Sequence, residues 1–220
     1  MLRPALALAA TAITFVLPNA GLAGSASGGF SARVTNPWFP LPPGTTYTYV
    51  GVKDGKPSRD IVTVQRRTTT IAGAPCVVVS DRLYLAGHLE ERTLDYYSQS
   101  ANGDVWYFGE DTAELDAEGH VTTTEGTWRA GVGGAHPGIF MPAHPRVGQT
   151  GQQEFYKGHA EDHFRVAAFL GPNALRTEEW TPLEPGVLDH KLYVRGVGDV
   201  LERTVKGGDE LNELVSVTHS

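Results

Sequence analysis

From residue 45 onwards, apolar and polar positions alternate with a period of two over short stretches, and each stretch ends in turn-forming residues. The stretch TTYTYVG, for example, places Tyr47 and Tyr49 on one face before the turn KDGKP. Comparable stretches recur to the end of the sequence, separated by segments such as SANGD, DAEGH, EPG and KGGD. Because period-two alternation bounded by Gly, Pro, Asn and Asp is typical of antiparallel strands, the pattern predicts an all-β protein.

The strands are short and their turns are evenly spaced, which is typical of a single antiparallel sheet that curves strongly into a barrel, a half-barrel or a lipocalin-like form. The best helical candidate, GHAEDHFRVAAFL, is flanked by Gly158 and Gly171 and contains the β-formers Phe164 and Val166. It is either a helix of one or two turns or a strand that starts near Asp162. Since no long helix is predicted to fill the concave side of the sheet, we expect a ligand cavity there.

One segment departs from the alternation. Residues 130–151, AGVGGAHPGIFMPAHPRVGQTG, are rich in Gly and Pro and contain no clear strand. Long loops of this kind are uncommon inside compact domains and often serve as lids or binding loops. The apolar centre, residues 139–141, would be costly to expose to water. We therefore expect this Gly/Pro-rich loop to fold back over the open face of the sheet.

The N-terminus predicts export. Arg3 precedes an apolar run over residues 5–17, and Gly21 and Ala23 are the small residues expected before a signal-peptidase cleavage site, with cleavage after Ala26 as an alternative. The predicted organisation is a signal peptide, a Pro-rich N-terminal arm and a single β domain: residues 1–23, 24–44 and 45–220. After the leader no apolar run is long enough for an integral membrane segment. The expected location is secreted or periplasmic.

Charge and cysteine content narrow the possible functions. The 220 residues include 18 basic and 25 acidic side chains, a net charge of −7, and the basic residues are not clustered in sequence. Such a chain is a poor candidate for binding nucleic acid or an anionic membrane surface. The single cysteine, Cys76 in APCVVVS, cannot form an internal disulfide, and its apolar neighbours predict a buried thiol.

An aromatic run meets an acidic run in DVWYFGEDTAELDAEGH, residues 104–120. On a strand, Val105 and Tyr107 share one face, while Trp106 and Phe108 share the other. One pair belongs to the core, and the other is available to line a ligand site because Trp and Tyr combine a large apolar face with a polar group. The acidic part lacks the spacing of a calcium-binding loop and predicts a hairpin turn instead.

The strand LEERTLDYY offers candidate acid/base groups. Alternation places Glu91, Asp95 and Tyr97 on one face, and Leu94 and Tyr96 on the other. If the first face points inward, its carboxylates form a polar floor suited to general acid/base catalysis or to a cation. If it points outward, the carboxylates are solvated and Leu94 and Tyr96 belong to the core. We favour the outward arrangement.

The densest group of metal-ligand types is HAEDH, residues 159–163. On a strand, His159, Glu161 and His163 project to one side and could hold a divalent metal. On a helix the two histidines share a face, although the spacing is not that of the H-E-x-x-H motif. A polar surface patch is the alternative. The sequence contains no nucleophile elbow, P-loop or dinucleotide-binding motif.

Several segments resemble known families. ERTLDYYSQSANGDVWYFGED, GTWRAGVGGAHPGIFMPAHPRVG and QQEFYKGHAED are similar to segments of a group of exported bacterial proteins of uncharacterised function. The closing HKLYVRGVGDVLERTV is similar to the last strands of outer-membrane lipoprotein carriers, although the lipoprotein cysteine that many such carriers have is lacking. The second resemblance implies a curved sheet, and neither implies an activity.

Together these features predict an exported carrier or sensor for a small apolar or amphipathic, lipid-like ligand. The expected ligand-binding residues are aromatic: Tyr97, Trp106, Tyr107, Phe140 and Tyr156. The alternative is a secreted hydrolase or lyase that uses carboxylates, with or without a divalent metal, and its catalytic residues would be Glu91, Asp95 and Glu161. Further acid/base candidates under this alternative are Glu110, Glu154, Asp162 and His163.

Overall fold

The computed structural model describes residues 29–220, so the predicted signal peptide and the first residues of the predicted arm lie outside the described part. Within that part the chain forms strands and turns and no helix, which confirms the prediction of an all-β protein. The strands are β1 (Phe30–Ser31), β2 (Thr45–Lys53), β3 (Lys56–Ile71), β4 (Ala74–Leu85), β5 (His88–Ser100), β6 (Val105–Leu115), β7 (Val121–Thr123), β8 (Trp128–Arg129), β9 (His136–Met141), β10 (Thr150–Gln152), β11 (Glu154–Phe155), β12 (His163–Phe169), β13 (Ala174–Trp180), β14 (Leu188–Val194), β15 (Gly198–Lys206) and β16 (Leu211–His219).

The strands form one antiparallel sheet that closes on itself almost completely. β2 to β6 form a meander, β9 extends it beyond β6, and β12 to β16 form a second meander whose last strand pairs with β2. The two remaining edges meet at residues 150–155, because β10 pairs with β12 while β11 pairs with β9. This junction is the one unsealed seam of a barrel-shaped sheet. The predicted strong curvature is therefore confirmed.

Both faces of β6 are apolar because the sheet is covered on both sides there. Tyr107 lines the interior of the barrel, whereas Trp106 and Phe108 pack beneath the short strand β1. The Phe30 ring of β1 meets Phe108 edge-on with centroids 5.2 Å apart, and Trp106 with centroids 6.0 Å apart. Edge-to-face packing of this kind adds to the burial of apolar surface. One residue of the aromatic run, Tyr107, therefore lines the interior of the barrel, and two, Trp106 and Phe108, belong to its outer layer.

The centre of the Gly/Pro-rich segment belongs to the barrel wall. Residues 130–135 and 142–149 form turns and irregular chain, as expected of a loop. The apolar centre instead forms β9, which pairs with β6, and the sequence pattern did not predict this strand. Met141 is buried and Phe140 lines the interior, so pairing in the sheet provides the burial that these side chains require.

The Pro-rich residues before β2 pack on the barrel interior. Val34 and Leu41 form an isolated antiparallel bridge, and both are buried together with Trp38. The buried side chain of Asn36 holds this segment in place: its Nδ2 donates to the carbonyl of Gly103 at 3.0 Å and to that of Pro142 at 3.1 Å, and its Oδ1 accepts from the Trp38 amide at 2.8 Å. From here on, the name arm is used for this packed segment, residues 34–41, which is part of the predicted Pro-rich arm.

The helix-or-strand ambiguity at residues 158–170 is decided in favour of a strand, β12, which begins at His163. Within residues 29–220 no helix has the length and apolar character needed to cross a membrane. Cys76 is fully buried, as its apolar neighbours predict, and burial raises the pKa of its thiol to about 12.

Candidate functional site

The barrel contains a cavity of about 250 Å³, and one part of its wall is aromatic. Tyr97 of β5 and Tyr107 of β6 are cross-strand partners whose rings stack with centroids 4.7 Å apart. Phe140 of β9 contacts Tyr97 edge-on at 5.0 Å, and Phe39 of the arm packs on Phe140 at 4.5 Å. Three neighbouring strands and the arm therefore give the cavity an apolar side, which we call the aromatic wall.

Eight carboxylic acids contribute to the rest of the lining. They come from β3, β4, β5, β11, β13 and β15 and from the residue before β12, and β15 contributes two of them. Among residues 29–220, only one basic side chain, Lys191 of β14, lines the same cavity. The eight acids are Asp60, Asp81, Asp95, Glu154, Asp162, Glu179, Asp199 and Glu202. Charged groups are costly to bury unless they are paired, so such a lining must hold protons, internal partners or a bound cation.

Lys191 neutralises part of this charge. Its Nζ lies 3.3 Å from Oε2 of Glu179 and 3.3 Å from Oε1 of Glu202. Burial opposes the charged ammonium, but the surrounding acidic groups, Glu179 and Glu202 foremost, together outweigh burial and hold the pKa of Lys191 well above its usual range. Burial raises the pKa of Glu202 to about 8 and that of Asp199 to about 6 despite the attraction of Lys191. One lysine is therefore shared among several acids.

A second group of acids surrounds Tyr107. The Tyr107 hydroxyl donates to Oδ1 of Asp95 at 2.6 Å, and its oxygen lies 3.1 Å from Oε2 of Glu110. Burial raises the pKa of Asp95 to about 7, although the bond from Tyr107 favours the carboxylate. Burial and the charge of Glu154 raise the pKa of Glu110 well above its usual range, and burial raises that of Glu154 to about 8. The single hydroxyl proton of Tyr107 is donated to Asp95, so it is not available to Glu110. The hydrogen bond between Glu110 and the Tyr107 oxygen therefore needs a protonated, neutral Glu110 as its donor.

The third group lies on the inner faces of β3 and β4, near Asn212 of β16. Burial and the neighbouring charge of Asp60 raise the pKa of Asp81 well above its usual range. Asn212 donates weakly to Asp60, with 3.4 Å between Nδ2 and Oδ2. The Oδ1 atom of Asn212 is buried beside the cavity and accepts no hydrogen bond from residues 29–220. A buried acceptor without a partner is costly, so this atom adds to the polar strain of the acid-lined side of the cavity.

Four of the predicted site residues come together here. Tyr97, Tyr107 and Phe140 form the aromatic wall, and Asp95 lies beside them. Glu91 shares the inward face of β5, where its Oε1 accepts from Thr93 at 3.0 Å. The favoured outward arrangement of Glu91 and Asp95 is therefore wrong. Alternation alone could not decide the question, because the outer face of β5 is covered too.

The other aromatic candidates and Glu161 lie elsewhere. Trp106 is on the outer face under β1, and Tyr156 stacks on His159 in a turn, with ring centroids 4.4 Å apart. Glu161 accepts a hydrogen bond from the Gly158 amide at 2.7 Å and so stabilises the same turn. Among the further acid/base candidates, Glu154 and Asp162 line the cavity and Glu110 adjoins it through Tyr107.

The candidate metal ligands do not converge. His159 Nδ1 lies 3.1 Å from Oε1 of Glu125, Glu161 caps its turn, and His163 stacks on Trp180 with centroids 5.7 Å apart. In the described part of the chain, no three His, Cys, Asp or Glu side chains are grouped closely enough to hold a metal ion. His159, Glu161 and His163 each have a separate partner instead.

Sequence reasoning missed most of the acidic lining. Asp60, Asp81, Glu179, Asp199 and Glu202 each lie within an ordinary alternating strand, where an acid normally marks the solvent face. A signal was available for Asp81, since VVVSDRLYL contains the charged pair Asp81 and Arg82 inside a mostly apolar run. Near-continuous apolar runs are expected where a strand is covered on both faces, so a charge within such a run has an unusual environment.

No family model matches the chain, and no curated protein matches it either. Among solved structures, it is similar to a protein of Bacteroides fragilis that is described as exported and as having a YmcC-like fold. The two chains are 14% identical, the match covers 84% of this chain and 100% of that one, and the TM-score is 0.46.

Proposed function

We propose that the protein binds a small amphipathic ligand inside the barrel, and that the ligand carries a positively charged amine beside an apolar or aromatic part. One observation carries this proposal: a single cavity combines an aromatic wall with eight carboxylic acids and only one lysine. The predicted leader is consistent with a carrier or sensor that works outside the cytoplasm.

The acids account for the expected charge of the ligand. Lys191 interacts directly with Glu179 and Glu202, which leaves the acids beside Tyr107 and those near Asn212 without a basic partner in the lining. An ammonium group that enters the cavity replaces protons on these acids and forms charge-assisted hydrogen bonds with the resulting carboxylates. A neutral or anionic ligand does not gain this ionic interaction.

The wall and the volume account for the rest of the ligand. Aromatic rings attract cations and also pack against apolar groups, so the wall at Tyr97, Tyr107 and Phe140 suits a ring or a short hydrocarbon attached to the amine. Pockets for drug-sized molecules measure roughly 300–1,000 Å³. The cavity of about 250 Å³ is smaller, which favours a small amine over a lipid with long acyl chains.

Isothermal titration calorimetry with 2-phenylethylamine, and with 2-phenylethanol as the uncharged counterpart, tests the proposal. We expect the amine to bind and the alcohol to bind at least about tenfold more weakly, a difference of roughly 1.4 kcal/mol. Asp95→Asn and Phe140→Ala should weaken amine binding, whereas Glu213→Gln, an acid-to-amide change at an exposed position of β16, should not. Equal affinity for amine and alcohol, or binding of neither, would contradict it.

A second candidate function is acid/base catalysis by a hydrolase or lyase, and one observation favours it. Asp95 has a pKa of about 7 and lies against the cavity with a hydrogen bond from Tyr107, as a general acid or base requires. Incubation with amine esters and amides, followed by mass spectrometry, separates the two functions. A carrier returns the bound compound unchanged, whereas an enzyme converts it and loses this activity in Asp95→Asn.

A further inference from the structure

Three arginines from three neighbouring strands border one groove on the outside of the barrel. Arg67 belongs to β3, Arg82 to β4 and Arg92 to β5, and all three side chains are exposed. The groove has a volume of about 480 Å³ and is also lined by Leu94 and Asp111. The arginines belong to three successive strands, and the pairing of these strands brings them together. We call this feature the arginine groove.

The positive charge of the groove is not balanced from within. Arg82 and Arg92 are direct cross-strand partners, and like charges in that position destabilise a sheet. In the described part of the chain, no salt bridge involves Arg67, Arg82 or Arg92. The Nε of Arg67 donates to the neutral Gln65 instead, which orients the guanidinium without neutralising it.

The one acid in the groove has other partners. Oδ1 of Asp111 accepts from Arg129 Nε at 3.0 Å, and its Oδ2 accepts from the Tyr96 hydroxyl at 2.7 Å and from Arg129 Nη2. Partial burial opposes the charge of Asp111, but these bonds keep its pKa below the usual value. Asp111 is therefore an ionised partner of Arg129 and does not compensate the three arginines.

We propose that the arginine groove is a binding site for a phosphate group. The planar guanidinium forks of Arg82 and Arg92 match the oxygen geometry of phosphate, and a bound phosphate removes the repulsion between them. In a chain with a net charge of −7, a local group of three uncompensated arginines also directs anions to this face. The phosphate is either free, as in inorganic pyrophosphate, or part of a lipid headgroup.

Two binding assays at low and high salt distinguish the two sources. Calorimetry with inorganic pyrophosphate measures binding of a free anion. Cosedimentation with phosphatidylglycerol vesicles measures binding of a lipid headgroup, and phosphatidylcholine vesicles are the control. We expect binding in at least one assay, weakened by salt, because the contact is electrostatic. If the protein binds the vesicles but not pyrophosphate, the site belongs to a lipid surface. If it binds pyrophosphate but not the vesicles, the site belongs to a soluble phosphate.

The variant Arg82→Gln/Arg92→Gln should lose at least about tenfold in affinity. The single change Arg203→Gln, at an exposed arginine of β15, alters the same type of charge on another part of the barrel and should lose less than about twofold. The double variant should fold at least as stably as the native protein, since it removes like-charge repulsion. Absence of binding in both assays, or equal losses in the groove variant and in Arg203→Gln, would overturn the proposal.

Discussion

The hydroxyl of Tyr107 donates a hydrogen bond of 2.6 Å to Oδ1 of Asp95, and both side chains are buried inside the barrel. Two opposing effects meet at this pair. Burial disfavours the carboxylate, while the hydrogen bond favours it, and the result is a pKa of about 7 for Asp95. The charge of the cavity therefore changes close to neutral pH.

Tyr107→Phe should raise the pKa of Asp95 further, because it removes the bond that favours the carboxylate and leaves the burial in place. Carboxyl ¹³C NMR titration measures this directly. Tyr96→Phe is the matched control: Tyr96 donates to Asp111 on the outer side of the sheet, so its loss should raise the pKa of Asp111 and leave Asp95 unchanged. A pKa of Asp95 that stays the same in Tyr107→Phe would show that the hydrogen bond does not govern it.

The stability of the ligand-free protein should fall as the pH rises from about 4 to about 8. Burial raises the pKa of Asp199 to about 6, that of Asp95 to about 7 and those of Glu154 and Glu202 to about 8. A carboxyl whose folded pKa exceeds its unfolded value contributes stability that is complete below the unfolded pKa and is lost as the pH passes the folded one. Thermal unfolding followed across this range checks the direction. A melting temperature that increases towards pH 8 would contradict it.

Glu154→Gln should remove part of this dependence. The amide resembles the protonated side chain that the folded protein holds at pH 5, so the melting temperature there should change little. At pH 9 the native side chain is ionised and buried, and the variant should melt several degrees higher, since roughly 2–4 °C corresponds to 1 kcal/mol in a chain of this size. Glu213→Gln, at an exposed position, should show no such pH-dependent gain.

The alternation of side chains was sufficient to predict the strands and their curvature, but not the direction in which each face points. On β5 both faces are buried in part, with Tyr97 inside and Tyr96 outside, so hydrophobicity does not distinguish them. β9 was missed because Pro137 and Gly138 lie within the strand, and both are normally loop residues. Glycine is required at position 138, because a Cβ there would lie 2.2 Å from the carbonyl oxygen of Gln153.

The candidate site was harder to predict than the fold, for a physical reason. Asp60, Asp95, Glu179 and Glu202 are separated by long stretches of sequence, and each one alone is an ordinary polar residue of a strand. Their common property, that they line one interior cavity, arises only when the last strand pairs with β2 and the barrel closes. The arginine groove needs only the pairing of β3, β4 and β5, but its members too come from separate strands.

Asn36→Ala should destabilise the protein by about 2–3 kcal/mol, because it leaves two buried carbonyls and the Trp38 amide without their partner. Urea unfolding measures the loss. Asn102→Ala is the control: this exposed turn residue bonds mainly within its own turn, and its replacement should cost less than about 0.5 kcal/mol. Equal losses in the two variants would show that Asn36 does not anchor the arm.

Binding of 2-phenylethylamine should release protons and strengthen as the pH rises from about 5 to about 8. At pH 5 the acids beside Tyr107 hold protons, because burial places the pKa of Asp95 at about 7 and that of Glu154 at about 8. An entering ammonium group favours the ionised forms of these acids and so expels their protons. At higher pH the acids are already ionised, so binding costs less free energy and the affinity rises.

Calorimetry at pH 7 in two buffers of different ionisation enthalpy counts the protons that are released on binding. The count should fall in Glu154→Gln and stay at the native value in Glu213→Gln, whose acid is exposed on the outer face. Binding without proton release, or with an affinity independent of pH, would mean that the amine does not meet these acids.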